Sequence, residues 1–329
     1  MTGLRAVTLV TLQWRIWWTG CGVALSIFIG GAVADSPAAR AGASLAMSDH
    51  EPITPVPEPP AAAPSKLALG QRLFEDPRLS HDGSRACSSC HDTGSNGADG
   101  NRRDAGPDGM ELPFNTSTVF NAALSFRFSW EGRFRALEAQ AEASLTNPRT
   151  MATSVDEVLG RLTADPEMVR GFRGAYGHMP DRDSMLDAIA TYERSLLTPA
   201  SRFDRWLGGD RQALSDDEQQ GYQLFKSVGC ISCHQGVNVG GNLFERAGIF
   251  HPLGSTRPEV LRVPSLRNVA TTPPYFHDGS AQTLNEAVRR MANAQLDRSL
   301  TGRQIELIVA FLSTLTGTYR GAAVRAAPR

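Results

Sequence analysis

Apolar side chains recur every three or four residues along most of the chain after residue 66, which predicts amphipathic helices and no long strands. The apolar helical faces are Leu69, Leu73 and Phe74; Phe134, Leu137, Ala141 and Leu145; Leu186, Ile189 and Leu196; Tyr222 and Phe225; and Ile305, Ile308, Leu312 and Leu315. Capping boxes, Ser or Thr followed three residues later by Glu or Gln, predict helix starts. They occur at Ser154, Ser215, Thr283 and Thr301. We therefore expect an all-α protein.

The helical pattern occurs twice around one short motif. Cys87-Ser88-Ser89-Cys90-His91 and Cys230-Ile231-Ser232-Cys233-His234 each follow a leading helix and precede a long loop and later helices. This repetition predicts two domains, 66–212 and 213–329. In the second, we expect the C-terminal helix to pack across the leading helix of its own domain.

Both motifs have the C-x-x-C-H spacing that attaches a c-type haem. Two thiols one turn apart can form thioethers with two haem vinyl groups, and the adjacent histidine, His91 or His234, becomes the proximal iron ligand. A disulfide or zinc site would use the same residue types. The two motifs contain every cysteine after Cys21, which favours two covalent haems in two cytochrome c-like domains.

The first 34 residues have the pattern of an export signal. Arg5 and Arg15 precede an apolar run at 23–29, and Ala32-Val33-Ala34 fits a cleavage site. The run is short for a membrane-spanning helix, which is the alternative interpretation. We therefore predict a periplasmic protein cleaved after Ala34.

The segment that follows, 35–65, is rich in Pro and Ala, which predicts an extended, mobile linker that buries no core. The formal net charge of the full chain is −1, and loss of the two arginines of the signal, with no acidic residue, changes it to −3. This near balance gives no indication of nucleic-acid binding.

The second axial position of each iron decides between electron transfer and reaction with a small molecule. Met291, on the helix after Thr283, is a candidate thioether ligand for the second haem, with core packing as the alternative. The loop after His91 contains no histidine and one methionine, Met110. We expect the first iron to be open or water-bound, able to bind peroxide, with Met110 as a competing weak ligand; His81 is interpreted as a surface residue.

Five segments carry a resemblance to a known family. The segments LGQRLFEDPRLSHDGSRACSSCH, FSWEGRFRALEAQA, GCISCHQGVNVGGNLF, VPSLRNVATTPPYFHDGS and TLNEAVRRMANAQL resemble the bacterial dihaem cytochrome c peroxidases. The related enzyme that matures methylamine dehydrogenase shares much of the pattern. The resemblance covers about residues 66–318 and implies a peroxidatic first haem and an electron-transfer second haem.

The resemblance also implies roles for individual residues. Met291 matches the distal ligand of the electron-transfer haem, a position that the maturation enzyme fills with tyrosine. Trp130 matches an aromatic electron relay between the haems, and Gln140 matches a distal-pocket residue of the peroxidatic haem. His277 belongs to the fingerprint and is expected to organise the domain interface.

A calcium site is implied as well. Asn115 and the backbone carbonyls of Thr272 and Pro274 match the calcium ligands of the family, and oxygen ligands of this kind suit calcium.

Two departures from the family pattern concern the first haem. The loop after His91 lacks the histidine that commonly caps that iron. Thr150, in NPRTM, stands where the family has a distal glutamate. A carboxylate there can move a proton between peroxide oxygens, whereas a threonine is a poor acid or base at neutral pH. Glu142 is nearby in sequence.

These features predict a peroxidase that reduces hydrogen peroxide with electrons from a small cytochrome c or a cupredoxin; a homodimer is compatible with them. A maturation-type oxidase that acts on a partner protein is the second interpretation. The third is a non-enzymatic dihaem electron carrier or redox sensor, since one fold can serve related functions.

Overall fold

A computed structural model describes residues 51–254 and 258–328 of the chain. The predicted signal peptide and the first part of the predicted linker lie outside the described residues. All described residues belong to one compact unit, Ala43–Arg329. Within them, none of the helices has the length and apolar character needed to cross a membrane.

Most regular structure in the described residues is helical, as predicted. The α-helices are α1 Pro64–Phe74, α2 Leu137–Thr146, α3 Val155–Ala164, α4 Pro166–Tyr176, α5 Arg182–Ser195, α6 Arg202–Leu207, α7 Asp216–Ser227, α8 Leu284–Leu296 and α9 Gly302–Ser313. Single 3₁₀ turns cover Pro77–Leu79, Cys87–Ser89, Ala122–Leu124, Cys230–Ser232 and Val269–Thr271.

Four short strands form two antiparallel pairs. Strand β1, Phe244–Arg246, pairs with β2, Val260–Arg262, and β3, Thr318–Tyr319, pairs with β4, Ala322–Ala323. Each strand has two or three residues, so the sheets fix the ends of loops and the core is built by helices.

The predicted apolar faces form that core, with one exception. The faces of α1, α5 and α9 are buried throughout. Phe134 was predicted to lie on the same helix as Leu137, but α2 begins only at Leu137. Phe134 instead bridges to Phe128, as its carbonyl accepts from the Phe128 amide at 3.0 Å. The spacing of apolar residues cannot show whether a residue just before a helix belongs to that helix or is extended.

The predicted capping boxes are half correct. Ser215 and Thr301 form complete, reciprocal boxes. Ser154 and Thr283 each cap a helix by accepting from the amide three residues later. At Ser154 the Glu157 side chain does not accept from the Ser154 amide, because its carboxylate accepts from the Arg161 guanidinium instead.

Each half of the described chain contains a pair of crossed helices whose backbones touch. A Cβ atom on Gly70 of α1 would lie 2.0 Å from the carbonyl oxygen of Ala188 in α5. A Cβ atom on Gly221 of α7 would likewise lie 2.0 Å from the carbonyl oxygen of Leu307 in α9. The expected packing of the C-terminal helix across its own leading helix is therefore confirmed, and the first half repeats it.

The expectation that 35–65 buries no core is wrong for the part that is described. Ile53 is only 1% exposed and packs in the core around α7 and α9. The Pro52 carbonyl accepts from the Gly236 amide at 2.8 Å, and the Thr54 carbonyl accepts from Arg267 Nη2 at 2.8 Å. The described part of this segment has no helix or strand up to Ala63, after which α1 begins. A backbone of this kind can still bind along a surface when its carbonyls and one apolar side chain find partners.

Replacing Gly221 by alanine should weaken the α7–α9 crossing, because the new methyl group would overlap a backbone carbonyl that a rotamer change cannot move. We expect a loss of roughly 1–3 kcal/mol in the free energy of unfolding. Gly160→Ala is the matched control, since Gly160 lies inside α3 with no atom near its Cβ position. It should be stabilising by about 0.5–1 kcal/mol. Chemical denaturation of both variants checks this, and equal stabilities would contradict the crossing.

Candidate functional site: two haem-attachment turns in one cavity

Each C-x-x-C-H motif folds into a single tight turn. In the 3₁₀ turns Cys87–Ser89 and Cys230–Ser232, the amide of the following histidine donates to the carbonyl of the first cysteine, at 3.0 Å for His91 and 3.1 Å for His234. The two cysteines and the histidine of each motif therefore belong to one turn. This is the local arrangement that attachment of one porphyrin at three points requires.

Both histidines are oriented by a backbone carbonyl. His91 Nδ1 lies 3.4 Å from the carbonyl oxygen of Gly97, and His234 Nδ1 lies 3.2 Å from that of Val239. A proton on Nδ1 leaves the Nε2 lone pair free for a metal. Burial lowers the pKa of both imidazoles, that of His234 to about 4, so both rings are neutral at pH 7, as a ligand must be.

The thiols lie in surroundings that do not favour thiolate chemistry. Burial raises the pKa of Cys87 and Cys90 to about 12 and that of Cys230 to about 11. A zinc site would need thiolates together with further ligands. The described residues contain no group of three or more His, Cys, Asp or Glu side chains suited to hold a metal ion. The zinc interpretation therefore lacks a ligand set.

One cavity is lined by both motifs and by apolar side chains from the surrounding helices. Near the first motif these side chains include Phe74, Phe120, Phe128, Leu137, Leu145 and Ile189. Near the second they include Phe225, Leu266, Val269, Leu284, Val288 and Leu312. An apolar cradle, paired thiols and an oriented neutral imidazole fit a c-type haem at each motif.

All but one of the predicted site residues line this cavity. The exception is Cys233. Residues far apart in sequence, such as Trp130, Gln140 and Met291, are therefore brought together with the two motifs. Helix α8 carries Met291 into the same cavity as His234, which is what a second axial ligand would require.

Met110 is not placed to cap the first haem. Its side chain is 63% exposed and does not line the cavity, so the alternative of a weak Met110 ligand is wrong. The loop that contains it lines the cavity through Ala98, Asp99, Ala105 and Leu112 instead. His81 is a surface residue, as expected, with Nδ1 3.2 Å from a carboxylate oxygen of Glu157.

Trp130 is held rigidly by four contacts. Its Nε1 donates to the Asn115 carbonyl at 2.9 Å, and its ring meets the ring of His277 edge-on at 4.6 Å. The Arg262 guanidinium lies 5.2 Å from the centre of the same ring, and the Arg262 amide donates to the Trp130 carbonyl at 2.8 Å. His277 Nε2 lies 3.0 Å from the Arg262 carbonyl. His277 therefore organises this cluster, which supports the expected interface role.

The distal-pocket candidates are tied to one serine. Gln140 Nε2 donates to Ser144 Oγ at 3.1 Å, and Thr150 Oγ1 donates to the Ser144 carbonyl at 2.6 Å. The Gln140 amide oxygen is buried without a hydrogen-bond partner. Glu142 does not line the cavity; it forms an ion pair with Arg182, whose guanidinium holds the pKa of that carboxyl below its usual range.

Several charged residues of the cavity were missed by the sequence analysis, among them Glu193 and Arg262. Glu193, on α5, lines the cavity, and its Oε2 is buried without a hydrogen-bond partner. Burial raises the pKa of Glu193 to about 8 and lowers that of Arg262 to about 10. The sequence did contain an indication of Glu193, because this residue lies at helical spacing between Ile189 of α5 and Leu196 at its C-terminal end. A carboxylate at a core position of an amphipathic helix is unusual.

The three residues predicted to supply calcium ligands belong to the lining of the same cavity. Asn115, Thr272 and Pro274 all line it. The Asn115 side-chain nitrogen donates to the carbonyls of Asn101 and Arg102 at 3.0 and 3.2 Å. Rotation of that amide would turn Oδ1 toward the same carbonyls, an oxygen-rich arrangement that suits a hard cation. Bound calcium stays a prediction.

Comparison with known proteins gives consistent results. A sequence model of the di-haem cytochrome c peroxidases matches residues 64–212. The chain is 38% identical over 287 residues to a cytochrome c551 peroxidase of Nitrosomonas europaea, an alignment that covers 82% of this chain and 86% of that protein. It is 32% identical to the methylamine utilization protein MauG of Methylorubrum extorquens, over 93% of this chain and 94% of that protein.

A solved structure shares the fold. The crystal structure of a MauG-like protein associated with microbial copper homeostasis superposes with a TM-score of 0.67 and 27% identity, covering 80% of this chain and 93% of that one. Together with the paired C-x-x-C-H turns and their shared cavity, these similarities show that the chain belongs to the di-haem cytochrome c peroxidase family, which includes the MauG proteins.

Proposed function

We propose that this chain is an exported peroxidase that reduces hydrogen peroxide with electrons from a small cytochrome c or a cupredoxin. The observation that carries the proposal is that helix α8 brings Met291 into the cavity shared by both motifs, whereas Met110, the methionine nearest to His91 in sequence, is turned into solvent. We infer that Met291 suits the second site to electron transfer and that the first site, without a Met110 ligand, is open to a small substrate.

The residues would hold two haems. The first would be held by Cys87, Cys90 and His91. The second would be held by Cys230, Cys233, His234 and Met291. When bound, the haems supply the redox chemistry that accepts electrons from a donor and delivers them to peroxide. A thioether stabilises ferrous iron, so Met291 gives the second haem the higher potential.

The remaining residues position and connect these sites. Trp130 carries electrons between the two haems, and its contacts with Asn115, His277 and Arg262 hold it in a fixed position. Gln140 presents its unpartnered amide oxygen to the first site and can accept a hydrogen bond from bound peroxide. A calcium ion at Asn115, Thr272 and Pro274 would tie the Trp130 support to the second half of the chain.

A maturation-type oxidase acting on a partner protein is the second candidate, favoured by the extent of similarity to MauG. Met291 argues against it, because the resemblance places a tyrosine at that position in the maturation enzyme.

The reduced holoprotein, mixed with peroxide and a reduced small cytochrome c, should oxidise the donor catalytically, as followed by the donor's absorbance. The double variant Cys87→Ser/Cys90→Ser, which removes the first attachment turn, should not. Absence of turnover together with a spectrum of two low-spin haems would contradict the peroxidase and maturation functions alike and leave the electron-carrier interpretation.

Met291→Ala should abolish the His/Met absorption signature of the second haem and lower its reduction potential, because the thioether that stabilises ferrous iron is lost. Met110→Ala is the matched control and should leave both haem spectra unchanged, since that side chain is in solvent. Spectra and potentiometric titrations measure both effects. Persistence of the His/Met signature in Met291→Ala would refute the ligand assignment.

A further inference from the structure

Peroxide reduction at the first site needs a group that moves protons, and the expected carboxylate is missing. Thr150 occupies its position and donates its hydroxyl proton to the Ser144 carbonyl. Glu142, the nearest carboxylate in sequence, is paired with Arg182 outside the cavity. Neither residue can act as the acid or base.

Glu193 is a carboxyl group that lines the cavity, and one of its two oxygens has no hydrogen-bond partner. It reaches the cavity from α5, which packs against α2, the helix that carries Gln140. Its Oε2 is buried without a hydrogen bond. The adjacent Arg194 does not neutralise it, because the Arg194 guanidinium is bonded to Glu138 of α2. An unpaired buried carboxyl oxygen is destabilising, and titratable residues with strongly perturbed surroundings in a cleft are often functional.

We propose that Glu193 is the proton-transferring catalytic residue of the first site, supplying from α5 the carboxyl group that the Thr150 position lacks. This inference rests on the proposed peroxidase function. It assigns the acid–base role to a different helix from the one that the family resemblance indicates.

The proton and electron balance is complete with the reactants already named. As the O–O bond breaks, the neutral Glu193 carboxyl would give its proton to the oxygen that leaves as water, while two electrons from the protein donor, delivered through the haem that the site would hold, leave the other oxygen as hydroxide. One solvent proton converts that hydroxide to the second water, and another returns the Glu193 carboxylate to its neutral form. One peroxide, two electrons and two protons thus give two waters.

The surroundings of Glu193 keep it protonated at neutral pH. Burial, and next the negative charge of Glu138, raise its pKa to about 8, and Arg194 offsets this only in part. The Cys87 sulfur of the first turn lies within electrostatic reach of Glu193, and as a haem thioether in the holoprotein it would carry no titratable proton. An acid with a pKa near the working pH is suited to transferring a proton in both directions.

The pH dependence of the wild-type holoprotein is the first test. Because the neutral carboxyl is the active form, kcat/KM for peroxide should fall as the pH rises through about 8. Glu193→Gln keeps the side-chain shape and cannot transfer the proton; it should lower kcat by about 10²-fold or more and remove the falling limb. Glu142→Gln is the matched control and should retain wild-type kinetics.

A rescue experiment separates a catalytic role from a structural one. Thr150→Glu places a carboxylate at the position where the family resemblance expects it. If Glu193 performs the proton transfer, Thr150→Glu should raise turnover far more in the Glu193→Gln background than in the wild type, a non-additive double-mutant cycle. Equal effects in both backgrounds would show that the two positions are not alternatives and would overturn the proposal.

Infrared spectroscopy gives a measurement that does not depend on turnover. A protonated carboxyl band in the wild-type holoprotein should disappear between two pH units below and two above the value of about 8. The same pH difference spectrum should lack that band in Glu193→Gln and keep it in Glu142→Gln. A wild-type spectrum without the band would overturn the proposal even if Glu193→Gln failed to fold.

The outcomes distinguish the two levels of inference. A wild-type protein that does not oxidise a donor with peroxide contradicts the proposed function. A wild-type protein that turns over, with a Glu193→Gln variant that has normal haem spectra and unchanged kcat, contradicts only the role of Glu193.

Discussion

Backbone contact between crossed helices is the constraint on which this structure depends. At Gly70 and again at Gly221, a helix lies so close to a later helix that no side chain fits between them. The C-x-x-C-H turn follows α7 within a few residues and follows α1 after a longer polar turn. The close approach at each crossing depends on a glycine and on no residue of the motifs. The same packing device serves both halves.

The sequence was sufficient for elements whose physical cause is local. The apolar stripes of α5 and α9, the complete boxes at Ser215 and Thr301, and the turns at the C-x-x-C-H motifs depend on neighbours within a few residues. Failures arose where a distant partner decides the outcome. Ile53 is buried because the core around α7 and α9 receives it, which the Pro-rich composition of its segment does not indicate.

The cavity residues show the same difference between features with a local cause and features decided by distant contacts. The residues that line it were predicted well, because the resemblance supplied them in order. Their orientation was not predictable, since it depends on contacts across the fold. Met110 points into solvent, and Glu142 is drawn outward by Arg182, which lies far away in sequence. Glu193 interrupts an apolar stripe, but without the packing of α5 against α2 its direction was unknown.

Unpartnered polar atoms in the described residues are concentrated at this cavity. The buried side-chain atoms without a hydrogen bond include Arg85 Nε, Gln140 Oε1, Glu193 Oε2 and Asn238 Oδ1, and all four residues line it. Each unmade bond costs about 1–3 kcal/mol, so packing alone would select against such a cluster. Apolar residues of similar size would relieve the cost at each position. Polar groups kept unpaired around one cavity are therefore best explained by partners that arrive with the cofactor and the substrate, and Glu193 is the member of this set that can also give up a proton.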